Sequence, residues 1–177
     1  MKRPEPSGRE RTFAEHEIIV SKTDLKGRLT YVNDVFCKVG LYDEDELLGQ
    51  PHSIVRHPDM PRAVFQLLWQ RISNGEEIFA YVKNLAKNGD HYWVLAHVTP
   101  SFSLDGQMDG YHSNRRVPRR AALAEIERLY ARLREAEERH PDRKQGMQAG
   151  VALLADDLQR RNIDYDRYVL GLATDAP

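Results

Sequence analysis

Four side chains that could bond a ligand lie close together in one short stretch of the chain. They are His52, Arg56, His57 and Asp59, and three prolines interrupt the same stretch. An arginine offers fixed donors to carbonyl or phosphate oxygens, and imidazole and carboxylate groups can bond a ligand or the backbone. Because each proline removes a backbone donor and disfavours helix in the residue before it, we expect short helical turns broken by extended links. Such a segment is expected to cover a sheet rather than join it.

The same cluster has a metal-binding alternative. His52, His57 and Asp59 form an imaginable set of two histidines and one carboxylate. We favour the interpretation that they bond loop backbone or an organic ligand, because buried backbone groups in a broken segment need partners. No nucleophile elbow, phosphate-binding loop or dinucleotide fingerprint occurs in the sequence. We therefore predict neither a metal site nor an enzyme.

Length and composition restrict the architecture and the partners. The chain has 177 residues, 41% of them hydrophobic, which suits one globular domain with an appendage. Its net charge of -1 gives no electrostatic reason to expect a nucleic-acid partner. No apolar run approaches the roughly 20 residues that span a bilayer, and no secretory signal opens the chain. We expect a cytoplasmic protein without membrane insertion.

The elements around the cluster follow from periodicity and turn residues. Short helices are predicted after Asn33 or Asp34 and after Asp43, which suit N-cap positions, and a longer helix begins at Pro61. The apolar period then changes from helical to two, with turns at 87–90, which contains Asn88-Gly89, and at 104–106. Strands are expected at 18–23, 29–33, 78–85, 91–102 and 107–117. Together they predict an α+β domain with a five-stranded antiparallel sheet roofed by short helices.

Both ends of the chain differ in composition from this domain. Residues 1–12 are charged and lack periodicity, which predicts a mobile tail. Residues 119–177 are rich in helix formers and predict a helical extension of two long helices and one short helix. The first of these carries a narrow apolar seam, at Leu123, Ile126, Tyr130 and Leu133. The seam is expected either to pack back on the sheet or to contact a helix of a second copy.

Residues 13–118 resemble a known family in the order and wording of their motifs. The stretch from Gly49 to His52, the Val-Arg-His-Pro-Asp-Met-Pro run at 55–61 and the Lys-Asn-Gly-Asp-His-Tyr-Trp-Val hairpin at 87–94 are similar to the PAS sensory domain of bacterial aerotaxis receptors. The resemblance implies the PAS fold, a sensory function with FAD as cofactor, and a homodimer. It also implies a downstream signalling protein, reached through the late strands and the helix after Pro118.

The resemblance further implies which residues hold the cofactor. In the family, the arginine, histidine and aspartate found here as Arg56, His57 and Asp59 are associated with FAD. The predicted cofactor-binding set adds six further residues, namely His52, Asn84, Trp69, His97, His112 and Asn114.

The sequence departs from the family pattern in three strands. Ile78 stands where the family has a tryptophan, and Leu95 and His97 replace an arginine and an asparagine. His112 and Asn114 replace apolar residues. If these positions face the cavity, its polarity is rearranged; otherwise they face solvent or another subunit.

Two other functions therefore stay open. One is a haem-based gas sensor, with His57, His97 or His112 as the axial ligand. The other is an interaction module of the same fold that holds no cofactor.

Overall fold

The computed structural model describes residues 3–174, and its centre is a single antiparallel sheet. Five strands lie in the spatial order β2-β1-β5-β4-β3. Their bounds are β1 Ile19–Asp24, β2 Leu29–Val32, β3 Ile78–Leu85, β4 His91–Phe102 and β5 Met108–Arg116. The predicted α+β class and five-stranded sheet are confirmed.

Short helices cover one face of this sheet between β2 and β3. They are α1 Asp34–Gly40, α2 Glu44–Leu47, a 3-10 helix at His52–Val55 and α3 Arg62–Ser73. The side chain of Asn33 caps α1, and Asp43 and Glu46 form a capping box at α2, so both predicted caps are present. Pro61 precedes α3 as its N-cap rather than beginning the helix, which is one position from the prediction.

Strand alternation gives the two faces of the sheet different surroundings. Val82 and Asn84 of β3 point toward α3, whereas Tyr81 points to the other face. On β4, Ala96 lies on the same face of the sheet as Val82 and Asn84, and Trp93 lies on the same face as Tyr81. The face toward α3 therefore borders the space between helices and sheet, and the opposite face contacts the C-terminal helices.

The C-terminal extension folds back on the sheet. Its helices are α4 Arg120–Glu138, α5 Arg143–Arg160 and α6 Tyr165–Ala173. The seam residues of α4 are buried, and the Tyr130 hydroxyl donates to the Tyr81 carbonyl at 2.6 Å. Of the two expectations for the seam, packing within the chain is the one observed. No helix among residues 3–174 is both long and apolar enough to cross a membrane.

The described part of the N-terminal segment is hydrogen-bonded to the β3-β4 hairpin. The backbone of Ser7 donates to the Gly89 carbonyl at 2.8 Å, and Arg11 donates to the His91 carbonyl at 2.7 Å. The Asp90 carboxylate also accepts from the Ser7 hydroxyl at 2.5 Å. Backbone bonds of this kind need no apolar periodicity, so no sequence pattern predicts them, and the mobility of residues 1–12 stays a prediction.

Candidate cofactor cavity

A cavity of about 130 Å³ lies between α3, the 3-10 helix and the centre of the sheet. Its walls are largely apolar, with Leu68 and Ile72 of α3 facing Val82, Ala96 and Val98 of the strands. An apolar space between a helix and a sheet suits a ligand with an apolar ring system. A few polar side chains interrupt this lining, and they determine what the cavity can bind.

Arg115 is the largest fully buried side chain of the described residues, at 2% exposure, and it lines the cavity from β5. Its guanidinium lies 4.6 Å from the centre of the Phe36 ring and donates to the Ser21 hydroxyl. The Nε and one Nη atom have no partner among the residues that the structure describes. Burial lowers the pKa of Arg115 to about 10, so the side chain stays charged at neutral pH. A buried charge with free donors calls for an acceptor from outside the chain.

His52 faces the same end of the cavity. Its backbone N–H donates to the Gly27 carbonyl at 2.8 Å, which ties the 3-10 helix to the β1-β2 hairpin. The imidazole lies 3.3 Å from the Ser21 hydroxyl and stacks on Phe36 with ring centres 6.0 Å apart. Burial, together with the charge of Arg115, lowers the pKa of His52 to about 3. The imidazole is therefore neutral at neutral pH and adds no second charge here.

Arg56 and Asn84 face each other across the open edge of β3, where their backbones form an antiparallel bridge. The Arg56 guanidinium lies 3.9 Å from the centre of the Phe65 ring, and burial lowers its pKa to about 10. Asn84 is 2% exposed, and its amide nitrogen has no partner. This amide adds a second free donor to those of Arg115.

Trp69 closes the cavity mouth from α3. Its indole meets the Tyr111 ring edge to face, with centres 5.6 Å apart, and stays 40% exposed. Gly27 lies against the indole with a positive φ of 73°, and a Cβ there would come within 2.8 Å of the ring. The glycine thus serves both the hairpin turn and the close approach of Trp69.

The cavity wall carries two arginines and no carboxylate. Arg56 and Arg115 are both predominantly protonated at neutral pH, whereas His52 is neutral. The wall therefore has a positive charge and unused donors. Such a site suits a planar ligand with acceptor oxygens or nitrogens, or one that carries or gains negative charge.

His57 and Asp59 do not line the cavity, although the sequence predicts both as cofactor residues. The His57 ring accepts the Asp59 backbone N–H at 3.0 Å and lies near His91. Burial and the charge of Lys83 lower the pKa of His57 to about 4. The Asp59 carboxylate accepts from Lys83 at 2.8 Å and from Arg134 of α4 at 3.3 Å. Alternation along the extended link directs Arg56 inward while these two neighbours bond the surrounding protein.

His97 and Asn114 lie on the opposite face of the sheet. The His97 ring stacks on Phe79 at 4.1 Å and pairs with the Glu77 carboxylate at 2.6 Å. Asn114 pairs with His97 across β4 and β5 and shares its face. Of the two expectations for these substituted positions, the one outside the cavity is observed.

His112 borders the cavity, but its neighbours Tyr111 and Ser113 alternate with it along β5. Its imidazole therefore points to the other face, where burial and nearby Lys22 and His97 lower its pKa. None of the three histidines considered for haem presents its imidazole to the cavity. Within residues 3–174, no three His, Cys, Asp or Glu side chains converge on a metal-sized site.

Ile78 is fully buried and lies on the cavity side of β3, beyond Val82 and paired with Val98. Phe79 next to it points to the opposite face, because side chains alternate along a strand. The substitution therefore places an aliphatic side chain in the core on the cavity side of β3.

Sequence reasoning missed Arg115 and Ser21 as site residues. The available signal was alternation in the predicted last strand, which places Ser113 and Arg115 on the same face as Tyr111. An arginine on a strand face that otherwise reads as core is an unexplained buried charge. Ser21 had no such signal, because a serine in a strand is common.

Comparison with known proteins assigns the fold independently of the cavity. The family model described as PAS fold matches residues 29–114. The solved PAS domain of a protein from Colwellia psychrerythraea has a TM-score of 0.52 at 20% identity, covering 56% of this chain and 85% of that one. The dark structure of the blue-light photoreceptor Aureochrome1 LOV has a TM-score of 0.53 at 20% identity, covering 67% and 86%.

Two curated relatives place the chain more closely. The aerotaxis receptor of Escherichia coli strain K12 is 43% identical over 121 residues, which are 68% of this chain and 24% of the receptor. The nitrogen fixation regulatory protein of Klebsiella pneumoniae is 28% identical over 94 residues, covering 53% and 19%. The chain thus spans about a quarter or less of each relative's length. Residues 29–114 are therefore a PAS domain, and it is a domain of the aerotaxis-receptor type.

Proposed function

We propose that this protein is a sensory PAS protein that binds a flavin, FAD, as a redox-responsive cofactor. One observation carries the proposal: the cavity holds the unpartnered donors of Arg115 and Asn84 and no carboxylate. The pyrimidine edge of a flavin carries carbonyl oxygens and ring nitrogens, which are acceptors for such donors. The aerotaxis receptor is the relative that matches most of this chain among those described above, and its name supports an oxygen- or redox-linked signal.

Different residues of the cavity would contact different parts of a bound flavin. Arg115 and Asn84 would bond the polar edge of the ring, while Leu68, Val82 and Val98 would pack on its faces. His52 stays neutral beside Arg115, and its own hydrogen bonds would change when hydrogen bonding at that edge of the flavin changes. The flavin supplies redox chemistry in which its charge and protonation depend on its oxidation state. Trp69 would shield the mouth of the cavity from water.

The two alternative functions have less support from the cavity. A haem site would use an imidazole, and His52 offers one only beside the charged Arg115. An interaction module without cofactor has no need for a buried arginine with two unpartnered nitrogens in its core. We further infer a cytoplasmic homodimer with a downstream signalling partner. Because the α4 seam is filled within the chain, that dimer would form through another surface. Light scattering of the purified protein tests whether it is a dimer.

The first test is the visible absorption spectrum of the untagged protein, followed by acid release and identification of any chromophore. Flavin bands, and FAD in the released fraction, would support the proposal. A haem spectrum would reject it in favour of the gas-sensor alternative. A protein that stays colourless after incubation with FAD and with haem would leave the interaction module.

A pair of variants locates the site. We expect Arg56→Ala to weaken FAD binding, because this side chain faces the cavity. Asn84→Ala is expected to do the same. Full retention of FAD by both folded variants would place the flavin elsewhere in the protein.

A further inference from the structure

Helix α3 forms one wall of the cavity but lacks a cap of its own. Its N-cap residue is Pro61, which makes no side-chain bond to the first turn. The cap comes instead from Glu137, near the end of α4. Its carboxylate accepts the Arg62 N–H at 3.0 Å and the Ala63 N–H at 2.8 Å. A carboxylate at this position satisfies free amides and interacts favourably with the helix dipole.

Glu137 is held in this position from several sides. It is 3% exposed, and the Arg62 side chain donates to its carboxylate at 2.9 Å and to its carbonyl at 3.3 Å. Helix α5 packs directly on it through two glycines. A Cβ at Gly146 would lie 2.3 Å from the Glu137 carbonyl, and one at Gly150 would lie 2.8 Å from the carboxylate. The contact therefore joins α3, α4 and α5 at one point.

A second tie connects the same end of α4 to the cavity wall. Asp59 accepts from Arg134 at 3.3 Å and from Lys83 at 2.8 Å. Arg134 and Glu137 are one helical turn apart, so they lie on the same side of α4. Their partners are Asp59 and Ala63. The segment between these two residues, the tied segment, connects the extended link that carries Arg56 to the first turn of α3.

The tied segment lies between residues that line the cavity. Arg56 precedes it, and Phe65, Leu68 and Trp69 follow it on the face of α3 that lines the cavity. A shift of the α4 end would therefore move this wall, and a ligand that moves the wall would pull on α4. The route differs from the one expected from the resemblance, which runs through the late strands.

We propose that Glu137 is a positioning residue for the ligand cavity and couples ligand binding to docking of α4 and α5. The identity of the ligand rests on the proposed function, whereas the cap on α3 does not. Coupling of this kind is reciprocal: docking strengthens binding, and binding strengthens docking by the same factor.

The test compares Glu137→Ala and Glu137→Gln with Glu125→Ala. Glu125 is also an α4 carboxylate in an ion pair, with Arg161 at 2.6 Å, but that pair does not contact α3. FAD affinity is measured by fluorescence titration, and amide exchange at Arg62 and Ala63 by NMR. We expect Glu137→Ala to weaken FAD binding, by up to about tenfold if the whole energy of the cap is coupled to binding, and to speed exchange at both amides. The glutamine keeps an acceptor oxygen, so its losses should be smaller.

Glu125→Ala is expected to leave FAD affinity and both amides unchanged. In the wild-type protein, saturating FAD should also slow exchange in α4 and α5, and this effect should shrink in Glu137→Ala. Unchanged affinity in a folded Glu137→Ala protein, or an equal loss in Glu125→Ala, would overturn the coupling.

Failure of the proposed function has a different signature. If the wild-type protein binds no flavin, the flavin hypothesis fails. Amide exchange at Arg62 and Ala63 still tests whether Glu137 caps α3. Unchanged exchange at these amides in Glu137→Ala would then overturn this inference too.

Discussion

Arg115 is a residue whose placement opposes stability in the ligand-free protein. Its charge is buried without a carboxylate, and two of its nitrogens have no partner. Replacing such a group with an apolar side chain of similar size is often stabilising, because desolvation of the charge is avoided. A residue retained against stability is a reasonable mark of a binding site.

We predict that Arg115→Met stabilises the ligand-free protein by about 2 kcal/mol and weakens flavin binding by at least about tenfold. Urea denaturation and FAD titration measure the two effects. Arg116→Met is the matched control, since Arg116 is the next residue of β5 and is exposed on the other face. A loss of stability in Arg115→Met, with the control unchanged, would mean that the guanidinium is satisfied within the protein.

His52 gives the protein a pH dependence. Its pKa is lowered from the ordinary 6.5 to about 3, first by burial and then by Arg115. Below pH 6.5 His52 binds a proton in the unfolded chain but stays neutral in the folded protein. The free energy of unfolding therefore decreases as the pH falls toward 3. His57 acts in the same direction, with a pKa lowered to about 4.

We therefore predict that the free energy of unfolding decreases between pH 7 and pH 4, and that His52→Gln makes this decrease less steep. Urea denaturation at several pH values measures the slope. His140→Gln changes an exposed histidine and should keep the wild-type slope. Equal slopes in the wild type and in His52→Gln would show that His52 is protonated in the folded protein.

At the scale of elements, the close contact of α5 with the end of α4 depends on glycine. Gly146 has no room for a Cβ, because the Glu137 carbonyl lies 2.3 Å from its position. Gly171 in α6 is a matched contrast, since no atom of residues 3–174 lies within 4 Å of its Cβ position. Both glycines are in helices, so the helix propensity gained by alanine is similar at the two sites.

We predict that Gly146→Ala destabilises the protein by about 2 kcal/mol, because α5 must move away from α4. Gly171→Ala is expected to be neutral or to stabilise by up to about 1 kcal/mol. Thermal or urea denaturation of both variants measures the difference. If the two changes had the same effect, α5 would not pack on Glu137 as closely as described.

At the scale of the whole molecule, the PAS domain and the extension share one core. Tyr81 and Trp93 of the sheet are buried against Tyr130 of α4, whose hydroxyl bonds the Tyr81 carbonyl. Ile126 and Leu133 of α4 are buried in the same hydrophobic core. Loss of the extension would expose a large apolar area of the sheet, so the two parts should fold together.

The two tryptophans allow this to be tested from both sides of the sheet. Trp93 reports on the contact with α4, and Trp69 reports on the cavity mouth. In the Trp69→Phe variant, tryptophan fluorescence comes from Trp93 alone. We predict that its unfolding midpoint coincides with the midpoint that far-UV circular dichroism gives for the same variant. The Trp93→Phe variant, followed by Trp69, should give the same agreement. An earlier transition for Trp93 would indicate that the extension detaches before the PAS domain unfolds.

The sequence by itself determined the elements, because their signals are local. Asn33 and Asp43 cap helices within three residues of themselves, and the turn at Gly89 joins two strands through neighbouring residues. Periodicity predicted the strands and the three C-terminal helices close to their observed bounds. The cofactor-binding set that the cluster and the family resemblance predicted includes Arg56, His52, Asn84 and Trp69, which the structure brings to one cavity.

Only the tertiary structure decided which side chains meet. His57 and Asp59 adjoin Arg56 in sequence yet bond other parts of the protein, because an extended link sends successive side chains in opposite directions. Arg115 enters the cavity only through the pairing of β5 with β1 and β4, and Glu137 reaches α3 from 75 residues away. Such contacts depend on packing between distant segments, for which a single sequence carries no local pattern.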